Sequence, residues 1–118
     1  MSWMTTPLLA SLEKSLDLNA FRVTLITSNL ANIDTPGYRT RDLDFARELR
    51  RAEANMGPES PLRAVREVPG LLERPDGKNV SLERETMLLA QTQLQFNAGV
   101  ELLRSKLRGL SNVINEGR

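Results

Sequence analysis

Apolar residues recur at alternating steps of four and three over residues 82–114. The positions with this spacing are all apolar except Thr86 and Gln93. They are Leu82, Thr86, Leu89, Gln93, Phe96, Val100, Leu103, Leu107, Leu110 and Ile114. The spacing is the a/d pattern of a heptad repeat and predicts one continuous helix with an apolar stripe. A helix of about 33 residues is roughly 50 Å long at 1.5 Å per residue. Because such a rod cannot bury a stripe against itself, it needs a second long helix.

The first third of the chain supplies that second helix. Its stripe consists of Leu9, Leu12, Leu16, Asn19, Val23, Ile26, Leu30 and Ile33. Thr6 suits the N-cap of this helix and Pro7 its first position. Pro36 disfavours helical geometry in the residue before it, so the helix must end a few residues earlier.

The two stripes together predict an all-α fold. Long helices over residues 7–33 and 80–115 are expected to pack as an antiparallel hairpin resembling a coiled coil, within a single domain of residues 1–118. Residues 34–79 are expected to form a turn, a short helix and a flexible loop.

The first helix carries a second apolar line, formed by Leu18, Phe21 and Leu25, roughly opposite the first stripe. A clustered exposed apolar line usually marks a contact surface. The alternative is that the middle segment folds back and covers it. Asn19, the one polar member of the main stripe, either fixes the register of the helices or bonds locally.

The middle segment holds weaker signals. Asp42 or Asp44 suits the N-cap of a short helix in which Phe45 packs inward. Turn signals around Pro69 and Pro75 leave two short apolar runs, residues 62–68 and 71–74, which we expect to pair as a hairpin.

Charge and composition narrow the function. The chain has 16 basic and 15 acidic residues, a net charge of +1, which gives no electrostatic case for binding nucleic acid or an anionic membrane. Histidine and cysteine are absent, which removes the commonest general base and metal ligands. No cofactor, metal or catalytic residue is expected, and the remaining class is a protein that works by contact.

A specific motif lies where the first helix ends. Residues 28–38 read SNLANIDTPGY, which resembles the N-terminal signature of the bacterial flagellar axial proteins. The matching positions are Asn29, Ala31, Asn32, Thr35, Pro36, Gly37 and Tyr38. The run RDLDF at residues 41–45 and the segment at residues 77–96 narrow the resemblance to the proximal rod proteins of the basal body.

The resemblance implies a structural subunit that assembles helically into the hollow drive shaft in the periplasm. It also implies export through the flagellar type III apparatus without a cleaved signal peptide. The implied partners are further copies, other flagellar rod proteins, and the membrane ring with its small adaptor subunits. Neither nucleic acid nor direct insertion into a membrane is implied.

The side chains expected to touch neighbouring subunits are Leu18, Phe21, Leu25, Arg41, Asp42, Asp44, Phe45, Leu88 and Leu102. The alternative function is a cytoplasmic coiled-coil adaptor or secretion chaperone that acts as a closed dimer.

Overall fold

The computed structural model of the chain describes residues 7–54 and 64–116. The molecule is elongated, with principal extents of 68 × 28 × 18 Å. Its elements, in chain order, are α1 (Pro7–Ala31), β1 (Arg41–Asp42), α2 (Phe45–Glu53), β2 (Arg66–Glu67) and α3 (Leu82–Glu116).

The two long helices pack against each other as an antiparallel pair, as predicted. Asn29, near the end of α1, bonds to Glu85, near the start of α3. Leu16, nearer the start of α1, lies beside Gly99, farther along α3. A Cβ on Gly99 would lie 2.9 Å from the Leu16 Cδ2 atom, so a larger residue here would require the Leu16 side chain to shift.

The helix ends follow capping chemistry. The described part of the chain starts within α1 at Pro7, and Thr6, the predicted N-cap, lies outside the described residues. α1 ends two residues before the predicted Ile33, because the backbone tightens there and the Ile33 N–H donates to the Leu30 carbonyl oxygen, at 3.3 Å, three residues back. At the start of α3, the Ser81 hydroxyl accepts from the Arg84 backbone N–H at 3.2 Å, an N-cap bond.

The predicted stripe of α1 is confirmed, since Leu9, Asn19 and Ile26 are all buried. Asn19 is 2% exposed, and its Oδ1 atom accepts no hydrogen bond from any described residue. If Asn19 bonds locally, as one of the two alternatives had it, the bond does not involve this oxygen within the described part of the chain.

The predicted stripe of α3 is wrong over the first half of the helix. Leu82 is 55% exposed and Gln93 is also exposed, whereas Glu85, Leu88 and Thr92 are buried. The bonds that Glu85 makes toward α1 fix the rotation of α3 at its start. That rotation turns Leu82 toward solvent and places two polar residues in the interface.

The short helix is confirmed, with Asp44 as its cap. The Asp44 Oδ1 atom accepts from the Arg47 backbone N–H at 3.2 Å. α2 packs against α1, where Lys14 Nζ donates to the Ala52 carbonyl oxygen at 2.7 Å. The middle segment therefore folds back onto the first helix. This is the second of the two alternatives given for the apolar line of Leu18, Phe21 and Leu25.

The predicted hairpin between residues 62–68 and 71–74 is wrong where the structure describes it. β2 pairs instead with β1, antiparallel, with Arg41 opposite Glu67 and Asp42 opposite Arg66. The Val68 N–H extends this ladder by donating to the Thr40 carbonyl oxygen at 3.0 Å. Residues 55–63, part of the predicted loop, lie outside the described residues.

Candidate assembly site

The signature turn that follows α1 has the geometry its sequence predicts. The Tyr38 N–H donates to the Thr35 carbonyl oxygen at 3.2 Å, and Gly37 has φ +76°. A type II turn requires a positive φ at this position, which glycine adopts without a Cβ clash. A second turn packs against the first, since a Cβ on Gly77 would lie 3.8 Å from Gly37 Cα.

Asn29 joins four parts of the fold. Its Oδ1 atom accepts from the Tyr38 hydroxyl at 2.9 Å and from the Arg41 N–H at 3.1 Å. Its Nδ2 atom donates to the Arg41 carbonyl oxygen at 2.9 Å and to Glu85 Oε1. An asparagine amide has two donors and two acceptor positions, and here all four are used. The buried side chain of this signature residue therefore links α1, the turn, β1 and α3.

Asn32 and Thr35 hold the turn together from within. The Thr35 hydroxyl donates to Asn32 Oδ1 at 3.0 Å, and the Thr35 N–H donates to the Asn32 carbonyl oxygen at 2.9 Å. The remaining signature positions, Ala31 and Pro36, are exposed. In this structure the buried part of the signature makes bonds within its own chain.

A cluster of two carboxylates and two guanidinium groups lies next to Asn29, where α1, β1 and the start of α3 meet. Arg22 binds Asp42 with two bonds, Nε to Oδ1 at 3.0 Å and NH2 to Oδ2 at 2.9 Å. Arg84 bridges the carboxylates, with NH2 3.1 Å from Asp42 Oδ2 and NH1 2.6 Å from Glu85 Oε2. The charges balance, and the carboxylates lie almost fully out of water, where charge-assisted bonds are strongest.

A second set of bonds ties β1 to the start of α3. The buried Thr40 donates from its backbone N–H to Asn79 Oδ1 at 2.7 Å and from its hydroxyl to the Asn79 carbonyl oxygen at 3.1 Å. Arg39 donates to the Gly77 carbonyl oxygen at 2.9 Å and pairs with Glu73 at 3.2 Å. We call the region held by these bonds the corner. Its residues are Arg22, Asn29, Tyr38, Arg39, Thr40, Asp42, Asn79, Arg84 and Glu85.

Most residues of the corner belong to none of the apolar stripes or turn signals from which the fold is predicted. Arg22, Thr40, Asn79 and Glu85 lie on no apolar stripe. The available signal was the family resemblance, since Asn29 and Tyr38 belong to the signature, Asp42 to residues 41–45, and Asn79 and Glu85 to residues 77–96.

The structure divides the predicted contact residues among three environments. The exposed ones are Arg41, Asp44 and Leu102. The half-buried ones are Leu18, Phe21, Leu25 and Phe45. The buried ones are Asp42 and Leu88.

The structure corrects the assignment of the buried pair. Leu88 is only 9% exposed because it faces the hairpin interface, between Glu85 and Thr92 on the same side of α3. Asp42 is held by two arginines inside the corner. Neither side chain is available to a neighbouring subunit, so neither enters the proposals below.

The large exposed apolar side chains lie mainly on α3 instead of on the second line of α1. Met87 is 63% exposed and Leu94 71% exposed. The others on this helix are Leu82, Leu102, Leu107, Val113 and Ile114. A long helix that exposes this much apolar surface presents a face for contact with other chains.

No described residues form a group that could hold a metal, and no helix of the described chain is long and apolar enough to cross a membrane. A helical hairpin that is bonded closely at one end and exposes large apolar side chains along one helix is typical of structural proteins that assemble through helix contacts.

Comparison with known proteins identifies the family. Residues 16–39 match a family model described as "Flagella basal body rod protein". The chain is 33% identical to FlgB, a flagellar basal body rod protein of Salmonella typhimurium, over 89% of this chain and 91% of that protein. It is 30% identical to FlgB of Escherichia coli K12, with the same coverage, and 32% identical to FlgB of Cereibacter sphaeroides over 86% and 88%.

The chain belongs to the family of flagellar basal body rod proteins, among the FlgB members. This family is structural, not enzymatic. Membership replaces the alternative of a cytoplasmic adaptor or chaperone, and it places the chain in the rod of the basal body.

Proposed function

We propose that this chain is a subunit of the proximal rod and that its helical hairpin forms part of the wall of a hollow drive shaft. The observation that carries the proposal is the run of exposed apolar side chains on α3. Contacts that do not close on themselves generate a helical filament, and such contacts need an apolar surface left uncovered by the subunit's own chain.

The corner suits a subunit that transmits torque. Sliding α1 along α3 breaks the bond between Asn29 and Glu85 and disrupts the linked pairs in which Asp42 binds both Arg22 of α1 and Arg84 of α3. Breaking a buried charged pair leaves polar groups without partners in a place that water does not reach. The hairpin therefore resists shear at this end, and a shaft built from it is stiff.

The proposed partners are further copies of the chain, other rod proteins, and the membrane ring with its small adaptor subunits. The flagellar type III apparatus is the proposed export route. The exposed side chains of Arg41, Asp44 and Leu102 remain candidates for subunit contact, together with the half-buried Leu18, Phe21, Leu25 and Phe45. The family membership supports this set of partners, since its named members are basal body rod proteins.

The test is a charge placed on the exposed face of α3. Leu94→Asp is expected to abolish swimming in a strain that depends on this chain, because a buried contact of about 1.5–3 kcal/mol per copy is replaced by a charge without a partner. Circular dichroism of the purified variant should match the parent, since Leu94 is 71% exposed in the free subunit.

The matched control is Gln95→Asp, which places the same charge on the adjacent exposed residue. A strain with this variant is expected to swim. Normal swimming of the Leu94→Asp strain would contradict the proposal.

A further inference from the structure

The side of α3 that points away from α1 carries its own regular pattern. Its residues, which we call the outer face, are Glu83, Met87, Ala90, Leu94, Ala98, Leu102, Ser105 and Arg108. All of them are exposed, and they recur at steps of three and four, as one side of a helix requires. Buried residues of the same helix, such as Leu88 and Thr92, point the other way.

The outer face is complementary to itself when read in the opposite direction. An acidic residue, Glu83, stands at one end, and a basic residue, Arg108, stands at the other. Large and small side chains alternate between these ends. Pairing the outermost positions and moving inward places Met87 opposite Ser105, Ala90 opposite Leu102, and Leu94 opposite Ala98.

We infer that the outer face binds a second copy of this chain, with the two α3 helices antiparallel and a twofold axis between Leu94 and Ala98. Each large side chain then packs against a small one, the arrangement that lets two helices approach closely. Each Glu83 lies beside the Arg108 of the other copy, and neither residue has an ion pair within the described part of its own chain. The contact spans about 25 residues of each helix, roughly 38 Å.

Charge favours the antiparallel direction over the parallel one. A parallel pair in register places Glu83 beside the other Glu83 and Leu94 beside the other Leu94. Like charges then repel and large side chains collide. The antiparallel pair removes both conflicts along the whole outer face.

This pairing belongs to the free subunit. A contact with twofold symmetry closes on two copies, whereas a rod has a direction and repeats one contact without closing. The pair therefore covers the face that assembly needs, and incorporation into the rod must displace it. This consequence rests on the proposed function, although the contact itself does not.

Disulfide trapping tests the pairing directly, because the chain contains no cysteine. Purified Met87→Cys and Ser105→Cys chains, one carrying a longer affinity tag, are mixed and oxidised at high protein concentration. The antiparallel pair predicts a mixed disulfide several times more abundant than either symmetric product. Asp17→Cys, at an exposed site on α1, is the control partner in place of Ser105→Cys.

Charge reversal sharpens the test. Glu83→Arg and Arg108→Glu, each added to both trapping chains, are expected to lower the mixed product by about twofold to fivefold, as for an exposed ion pair. Combining both reversals in each chain should restore it. Circular dichroism of the reversed chains checks that α3 is retained. If Glu83→Arg lowers the helix content, the test rests on Arg108→Glu.

Equal yields with Ser105→Cys and Asp17→Cys would overturn the inference. A dominant Met87→Cys homodimer would do the same, since it indicates a parallel pair. If either occurs while Leu94→Asp still abolishes swimming, the pairing fails and the rod function stands. If trapping succeeds while Leu94→Asp swims normally, the pairing stands and the proposed assembly face fails.

Discussion

Glu85, near the start of α3, is fully buried among polar partners, whereas Leu94, nine residues later on the same helix, is 71% exposed. The usual placement of charged and apolar side chains is reversed between these two regions. At the corner, buried polar groups satisfy one another and fix how α1, β1 and α3 meet. On the outer face, apolar side chains remain exposed to water in the single subunit. Polar bonds therefore fix how the elements of this subunit meet at the corner, whereas large apolar side chains on α3 stay exposed in the single subunit.

The corner should be far more sensitive to substitution than the outer face, and Glu85→Leu is the sharpest way to break it. The substitution leaves Arg84 and an Asn29 donor without their buried partner. We expect a loss of about 3–5 kcal/mol in the free energy of unfolding. Urea denaturation followed by circular dichroism measures it.

The control is Glu83→Leu, which removes an exposed carboxylate two residues earlier. It should change the free energy of unfolding far less. Similar losses in both variants would mean that the corner is not what secures the hairpin.

Two polar residues in the middle of the hairpin interface are positions where substitution should raise the free energy of unfolding. Asn19 Oδ1 and Thr92 Oγ1 are buried and have no hydrogen-bond partner among the described residues. Thr92→Val keeps the shape and removes the lone hydroxyl, so we expect a gain of about 1–2 kcal/mol. Asn19→Leu should also stabilise the chain.

Thr86→Val is the matched control for Thr92→Val. The Thr86 hydroxyl is exposed and donates to the Leu82 carbonyl oxygen at 2.8 Å, so its removal should be close to neutral. A thermal midpoint that falls in Thr92→Val would show that its hydroxyl is satisfied in solution.

The smallest effect on stability is expected on the outer face. Met87→Gln exchanges one exposed, unbranched side chain for another of similar length and should change the free energy of unfolding by less than about 0.5 kcal/mol. Chemical denaturation gives the value. A loss comparable to that of Glu85→Leu would place Met87 in the fold of the single subunit.

The sequence predicted the first long helix because the apolar stripe of α1 is a local signal, and it predicted α2 because the cap at Asp44 is another. It misplaced the first half of the α3 stripe, since the buried positions there include Glu85 and Thr92, which a search for apolar periodicity passes over. The true interface depends on bonds between residues far apart in the chain.

The pairing of β1 with β2 was missed for a related reason. Two strands of two residues each, separated by α2 and residues 54–65, have no alternating pattern to detect. The signature did indicate that residues 29–38 matter, but its sequence does not show that Asn29 works inside its own subunit. Leu88 was assigned to an outer surface because the rotation of α3 was not known.

The most direct test of the division between corner and outer face is the accessibility of position 94 before and after assembly. Leu94→Cys is labelled with a maleimide in the dilute free subunit and in isolated basal bodies, with Asp17→Cys labelled in parallel. We expect Leu94→Cys to be labelled rapidly in the free chain and to be protected by at least tenfold in the basal body. Equal labelling rates in both states would contradict the claim that this face of α3 is used for assembly.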